Sequence, residues 1–181
     1  MKKTLLISLS IVAAFILMSV IWGVAVNNSA IKAEEQIFES KSSIDIQVKK
    51  RNDTILLLVQ VVEQYDAHEA AIIKAVTDAR AALANNDISA ATTELKVILE
   101  AYPDIKSAAN YNTLMLTIAQ CENSIATHRD AYNIQVKDYK KHVRTFPNAM
   151  FLSIGGYEVI AVDYLELSED NNLDVTNIFG S

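Results

Sequence analysis

The sequence predicts an all-α protein in which one N-terminal transmembrane helix precedes an elongated up-and-down bundle of four helices. The chain has 181 residues but only four glycines and two prolines, which leaves few turns. Residues 4–26 carry no charge, and apolar residues recur elsewhere at spacings of three and four. We predict a membrane anchor in residues 1–27, a helical bundle in residues 28–147 and a poorly defined extension in residues 148–181.

The uncharged segment 4–26 predicts a membrane-spanning helix. As a helix its 23 residues extend about 34 Å, enough to cross a hydrocarbon core of about 30 Å. Lys2 and Lys3 precede it, and Trp22 lies near its far end, where interfacial aromatic residues are common. The alternative is a cleaved signal peptide, since Gly23-Val24-Ala25 resembles a cleavage site. Because the apolar region of a signal peptide has only about 7–15 residues, we predict a retained anchor.

The charges on either side of this segment predict its orientation. Lys2 and Lys3 should keep the short N-terminus in the cytoplasm, so that the remainder lies outside the inner membrane of a bacterium. Without these two lysines the chain has 14 basic and 22 acidic residues, a net charge of −8. Such a domain repels nucleic acid and anionic lipid headgroups, so we expect no nucleic-acid binding.

The residues after the anchor predict a first bundle helix. A short polar exit follows Val26, in which Ser29 is a candidate N-cap. An intermittent apolar stripe then covers residues 30–50. The polar cluster 49–53 leaves open whether this helix breaks there or continues.

The next two helices are predicted by a longer stripe and a turn. Apolar residues at helical spacing indicate one helix over residues 51–84, which Asn85-Asn86-Asp87 should end. A shorter helix is expected from residue 88 to about residue 100. Pro103 fits the first turn of the helix that follows, because its missing N–H is not needed there.

The clearest helix lies between the two prolines. Its apolar and aromatic residues follow the a and d positions of a heptad, which indicates a long seam with another helix. The a positions are Tyr111, Ile118, Ile125, Tyr132, Tyr139 and Phe146. The d positions are Leu114, Cys121, His128, Gln135 and His142. Pro147 disfavours helix at the residue before it, so the helix should end there.

Several motifs then carry a family resemblance. They are Ile44-Asp45-Ile46-Gln47-Val48-Lys49-Lys50-Arg51-Asn52-Asp53, Tyr65-x-x-His68-Glu69, Ala79-Arg80, Glu122-Asn123, Tyr132-Asn133 and Phe146-Pro147. In this order, from residue 28 to about residue 147, they resemble the LemA family, whose members also begin with a membrane helix. The resemblance implies a membrane-anchored helical bundle and brings no established catalytic residues. Lys41, in place of the usual aromatic residue, indicates a somewhat divergent member.

We predict no catalytic, cofactor-binding or metal site. His68-Glu69 begins like the H-E-x-x-H motif of zinc proteases, but Ile72 replaces the second histidine. We interpret His68 and Glu69 as polar residues hydrogen-bonded between helices. His128 and His142 would lie about 21 Å apart along one helix, too far to share a metal ion. Cys121 has no second cysteine to pair with and is expected to be an inert buried residue.

Two polar groups could instead bind partners. Asp45, Lys49, Arg51 and Asp53 could form a docking or ligand site, although a network of surface ion pairs is the preferred interpretation. The tyrosines at a positions could bind an aromatic ligand or a partner helix. The preferred interpretation is that their rings pack in the seam while their hydroxyls reach polar neighbours or water.

The expected function is a membrane-tethered, non-enzymatic interaction or scaffold module without a cofactor, whose protein partners and oligomeric state stay open. The alternative is a small-ligand or signal sensor with a groove between bundle helices near Tyr132 and His128. A hydrolase with a site assembled from distant residues is the third and least favoured hypothesis.

Overall fold

The structure is a computed structural model that describes residues 2–66, 68–107 and 110–166. Within these residues the chain forms helices and no strand, which confirms the predicted all-α class. The α-helices are α1 (Lys2–Tyr65), α2 (Ala70–Ala84), α3 (Ile88–Ala101), α4 (Tyr111–Arg144) and α5 (Asn148–Ile154). A 3-10 helix, Pro103–Ser107, lies between α3 and α4. The end of the predicted extension, residues 167–181, lies outside the described residues.

The chain divides into two compact units. The first comprises residues 1–40 with residues 130–164, and the second contains residues 41–129. Both long helices take part in both units, because α1 runs from the first into the second and α4 runs from the second into the first. Most of the large buried side chains lie in the second unit.

The second unit is a four-helix bundle. The later part of α1, the whole of α2 and α3, and the earlier part of α4 share one core. Its largest buried residues are Ile55, Leu58, Val59, Val62, Ile72, Val76, Leu95, Ile98, Leu99, Ile105, Tyr111 and Ile118. Each such side chain stabilises the bundle by about 1.5–3 kcal/mol relative to an exposed position.

The predicted single helix over residues 51–84 is wrong. α1 ends at Tyr65 and α2 begins at Ala70. Asp66 accepts a hydrogen bond from the backbone N–H of His68 through Oδ1 (2.9 Å), which stabilises the turn. The chain reverses because the buried stripe has a gap between Val62 and Ile72. Two shorter helices can bury their apolar faces in one core, whereas one long helix could not.

The turn between α2 and α3 agrees with the sequence. Asn85 and Asn86 follow α2, and Asn86 has a positive φ of 57°, a conformation that asparagine tolerates better than most residues. Asp87 then caps α3, because its Oδ1 accepts a hydrogen bond from the backbone N–H of Ala90 (2.9 Å). The predicted α3 boundaries are confirmed to within one residue.

The first unit contains the start of α1, the end of α4, α5 and an irregular segment that follows α5. Ile37 of α1 and Val136 of α4 are buried in it. Ser40 Oγ donates a hydrogen bond to Gln135 Oε1 (2.6 Å), which joins the two helices. The predicted cap at Ser29 is wrong, since α1 continues without a break through residues 26–29 and 49–53. No glycine or proline interrupts the helix there, and Val26 and Ala30 keep its buried stripe in phase.

The heptad pattern of α4 is confirmed over most of its length. The a residues from Tyr111 to Tyr139 are buried, and Cys121 is buried at d. Phe146 departs from the prediction, because α4 already ends at Arg144 and the Phe146 side chain is exposed. The prediction that Pro103 lies in the first turn of this helix is also wrong. Pro103 begins the 3-10 helix, and α4 begins only at Tyr111.

Candidate functional site

Among the described residues, the most deeply buried charges form an ion pair between α1 and α4 within the second unit. Arg51 Nη1 on α1 lies 2.8 Å from Glu122 Oε1 on α4, and the side chains are 6% and 7% exposed. Burial raises the pKa of the Glu122 carboxyl, while the charges of Arg51 and Arg129 oppose that rise. Each charge is therefore compensated mainly by the other, which is the arrangement that a buried pair needs to persist.

The predicted cluster around residues 45–53 does not surround this pair. Asp45, Lys49 and Asp53 are exposed, whereas Arg51 alone is buried. The signal that could have found the pair is the position of Arg51, which continues the apolar stripe of α1 between Val48 and Ile55. A charged residue in such a stripe requires a buried partner.

A second polar arrangement joins α1, α4 and the segment after α5. Tyr157 OH donates to Glu34 Oε2 (2.8 Å), and the backbone N–H of Ile160 donates to Tyr139 OH (3.0 Å). The hydroxyls of Tyr139 and Tyr157 are 3.2 Å apart. Because the Tyr157 proton is directed to Glu34, Tyr139 must donate to Tyr157. The chain of donors therefore ends on the Glu34 carboxylate.

The hydrogen-bonded tyrosines have a structural role and are unsuited to general-base catalysis. The pKa of Tyr157 is raised well above its usual value by burial, and then by the hydrogen bonds with Tyr139 and Glu34. The phenol therefore keeps its proton at physiological pH and continues to donate to Glu34. Such a group can position a backbone segment, but it cannot act as a general base.

A third tyrosine holds the same segment further along α4. Tyr132 OH donates to the backbone carbonyl of Asp163 (3.2 Å), and Lys140 Nζ lies 4.6 Å from the centroid of the Tyr164 ring. The interpretation that buried tyrosine rings direct their hydroxyls to polar neighbours is thus confirmed for Tyr132 and Tyr139. Their neighbours belong to the extension, whose structure the sequence left open.

His142 links three elements of the first unit. Its Nε2 lies 3.2 Å from the carbonyl oxygen of Val26, and its Nδ1 lies 3.2 Å from Nδ2 of Asn148. A carbonyl oxygen can only accept, so Nε2 carries the proton and Nδ1 accepts from the Asn148 amide. The ring thereby connects α1 with α4 and with the first residue of α5.

His68 and Glu69 lie in the turn between α1 and α2. The His68 side chain is exposed, which makes the predicted interhelical role wrong for this residue. Burial raises the pKa of the Tyr102 phenol beyond α3, and the nearby Glu69 carboxylate raises it further. The Tyr102 ring also lies against that of Tyr65, with centroids 6.3 Å apart. His128 is half-buried on α4.

The thiol and the carboxylates of the described segments offer little to a metal ion or a nucleophilic reaction. Across residues 2–66, 68–107 and 110–166, no group of three or more His, Cys, Asp or Glu side chains is placed to hold a metal. Cys121 is a free, buried cysteine. Burial raises the pKa of its thiol, which lowers the fraction of reactive thiolate.

Grooves are present in both units. The groove of the second unit has a volume of about 260 Å³ and is lined by Leu57, Gln60, Val61, Gln64, Asn110, Thr113 and Leu114. It is smaller than most small-molecule sites, which have about 300–1,000 Å³. The groove of the first unit has about 570 Å³ and lies between residues 15–27 of α1 and the α5 residues Phe151 and Ile154.

The start of α1 has the length and composition of a membrane span. Among the described residues, one helix, Lys3–Tyr65, contains a window with a mean hydropathy of 2.6, and none of that window is buried. Its apolar side chains are exposed on all sides of the helix, from Leu5 to Val24. A helix that is apolar all round is typical of a membrane span or of a fully buried core.

The comparison with known protein families agrees with the motifs. The family model described as the LemA family matches residues 40–178, whereas no curated protein matches the chain. The matched region contains Arg51, Glu122 and all the tyrosines of the first unit described above. The matched region also includes α5, whereas the motifs that resemble the family end at residue 147. With most of its length matched, this all-helical chain belongs to the LemA family.

Proposed function

We propose that the protein is a membrane-tethered, non-enzymatic interaction module that presents an acidic helical bundle outside the cytoplasm, at the inner membrane of a bacterium. The observation that carries the proposal is the continuity of α1. This one helix, Lys2–Tyr65, supplies both the uncharged exposed segment and part of the bundle core. The membrane-spanning segment therefore passes directly into the bundle.

The exposed apolar surface of α1 supports the tether. Burying apolar surface contributes about 25 cal/mol per Å², so a helix with uncovered apolar residues on every side is strongly unfavourable in water. Phe15, Ile21 and Trp22 are among the exposed residues of this segment. Lipid chains would cover all of them, and Trp22 would lie near the interface. The two lysines at positions 2 and 3 favour a cytoplasmic N-terminus.

The way the titratable groups are used supports a role without catalysis. Glu122 is paired with Arg51, and Glu34 accepts from Tyr157. His142 uses both ring nitrogens in contacts that hold elements together. These groups are engaged in packing contacts, whereas a general acid or base needs access to a substrate.

The charge of the bundle indicates its class of partner. The residues outside the anchor carry a net charge of −8, from 14 basic and 22 acidic side chains. Such a surface favours partners with basic or neutral faces and repels nucleic acid. Tethering raises the concentration of the bundle near membrane proteins, so that weak contacts can suffice.

The small-ligand alternative has less support from the geometry. The predicted groove would lie near Tyr132 and His128, but Tyr132 is buried and its hydroxyl already binds the Asp163 carbonyl. We therefore prefer the interaction module.

Cell fractionation tests the tether. The uncleaved chain should stay in the membrane fraction after alkaline carbonate extraction, and protease added to spheroplasts should digest the bundle. A deletion of residues 1–27 provides the control that should be released. An intact chain in the aqueous fraction would contradict the anchor, and a bundle protected until lysis would contradict the orientation.

Site-specific photo-crosslinking tests the interaction role. A photoreactive amino acid at the exposed Val97 of α3 should give adducts of discrete mass in intact cells. The same amino acid at the buried Leu95, on the same helix, should give none. Further exposed positions are Ile73 and Leu116. Absence of adducts at all three exposed positions would argue against an interaction module.

A further inference from the structure

α5 lies in an unusual stretch of the sequence. Between Arg144 and Glu158 no residue is charged. Three large apolar side chains of this stretch are nevertheless exposed: Phe146 (77%), Met150 (44%) and Ile154 (77%). Soluble proteins rarely leave such a group of apolar side chains uncovered without a binding role.

The position of α5 within the first unit explains where this surface lies. A Cβ atom on Gly23 would lie 3.4 Å from Cδ1 of Phe151, so α5 packs closely against α1 at this glycine. Gly23 follows Trp22 near the end of the uncharged segment 4–26. His142 contacts both Val26, the last residue of that segment, and Asn148, the first residue of α5. α5 is therefore level with the end of the span.

We propose that α5 is an interfacial helix that inserts into the bilayer beside α1, in the leaflet on the side of the bundle. Phe146, Met150 and Ile154 contact lipid acyl chains, and an acyl chain occupies the groove of about 570 Å³ between α1 and α5. The inference rests on the proposed anchoring of α1. It adds a second point of membrane contact, far from the first in sequence.

The lining of the groove favours lipid as its occupant. On the α1 side it is formed by Phe15, Ile16, Val20 and Val24, among others, which are the same side chains that a bilayer would cover. The groove is thus continuous with the lipid-facing surface of the span. A protein partner would have to replace lipid at this level, and the uncharged stretch offers it no ion pair for recognition.

The backbone of α5 also suits a lipid environment, in which polar groups need partners within the protein. Pro147 has no N–H, and its carbonyl oxygen accepts from Met150 and Phe151. At the other end, the backbone N–H groups of Gly155, Gly156 and Tyr157 donate to carbonyls of α5. The helix ends therefore place few unpaired donors in the apolar region.

Fluorescence quenching in lipid nanodiscs tests this inference on the full chain. In three separate variants one cysteine is added, at Ile154 (Ile154→Cys), Phe15 (Phe15→Cys) or Lys137 (Lys137→Cys), and is labelled with an environment-sensitive fluorophore. The unsubstituted protein controls for labelling, since Cys121 is buried. The nanodiscs contain phosphatidylcholine and phosphatidylglycerol, with or without a spin label on the acyl chain, and iodide is the aqueous quencher.

The three labels separate the possible outcomes. The Ile154 label should emit at shorter wavelength than the Lys137 label and, like the Phe15 label, be quenched by spin-labelled lipid and not by iodide. Quenching of the Ile154 label by iodide, with the Phe15 label in lipid, would overturn the inference while the anchor stands. Protection from both quenchers would overturn it in favour of a protein partner or a second copy. A Phe15 label that iodide quenches would instead refute the anchor.

Discussion

The guanidinium of Arg51 lies where the apolar stripe of α1 would otherwise continue. A buried ion pair seldom stabilises a fold more than well-packed apolar residues would, because both charges lose their hydration. Such a pair matters most for stability when one partner is removed, because the other charge is then buried without compensation. We therefore expect the pair between Arg51 and Glu122 to disfavour a shifted register of α1 against α4, since such a shift would leave both charges unpaired.

The variant Arg51→Met should destabilise the protein strongly. It leaves the Glu122 charge buried without compensation, which costs about 3–5 kcal/mol. A matched control is Arg80→Met, because Arg80 forms an ion pair with Glu63 at the surface, where such pairs contribute about 0–1 kcal/mol. Chemical unfolding of the full chain in detergent, followed by helical circular dichroism, gives both values. Equal losses in the two variants would contradict the buried-pair account.

The cost of Arg51→Met should depend on pH. Burial raises the pKa of Glu122 in the folded protein and Arg51 opposes that rise, so the folded Arg51→Met variant holds this proton more strongly than the unsubstituted protein does. A carboxyl whose pKa is raised by folding contributes stability below its unfolded pKa of about 4.3. That contribution is lost as the pH rises through the folded pKa. The deficit of Arg51→Met should thus be smallest near pH 4 and grow towards neutrality. In Arg51→Met/Glu122→Gln this dependence should disappear, and its persistence would point to another group.

At the scale of elements, sequence reasoning predicted the helices whose ends carry local signals. Asn85-Asn86-Asp87 and the Asp87 cap define the start of α3, and the heptads define α4 as far as Arg144. The break between α1 and α2 was missed because no glycine or proline marks it. Tertiary packing sets the position of this break, because α2 packs against the same core as Val62. In the sequence, only the gap in the buried stripe before Ile72 indicates it.

The irregular segment after α5 should loosen when its hydrogen-bonded tyrosine is removed. Tyr157→Phe deletes the donor to Glu34 and the acceptor for Tyr139. Hydrogen bonds to charged groups contribute about 1.5–3 kcal/mol, so we expect a loss in that range or below it, given partial exposure. The amide of Ile160, which donates to Tyr139, should exchange faster with solvent deuterium.

The control for this variant is Tyr164→Phe. It keeps the ring that Lys140 contacts, so the exchange rate of the Ile160 amide should remain unchanged. If both variants leave that rate unaltered, the chain of tyrosine hydroxyls does not hold the segment on α4.

At the scale of the molecule, the sequence identified the buried polar side chains better than the groups to which they hydrogen-bond. The tyrosines of α4 were identified from their heptad positions, but their acceptors could not be, because Tyr157 and Asp163 lie in a segment without helical period. Glu122 was visible only as part of a family motif. Pairing across tens of residues depends on how helices face each other, and a single sequence records that register only indirectly.

Removal of residues 1–27 should leave a folded bundle that self-associates. The shared core of the second unit lies between Ile55 and Ile118, so its packing does not require the deleted segment, and helical circular dichroism should persist without detergent. The deletion also uncovers Phe151 and leaves Phe146 and Ile154 without lipid, which favours association of the exposed apolar faces. Sedimentation should therefore show oligomers, and the further change Phe146→Ser/Ile154→Ser should restore monomers. A deletion variant that is monomeric without those changes would show that water tolerates this surface, and the case for lipid contact at α5 would weaken.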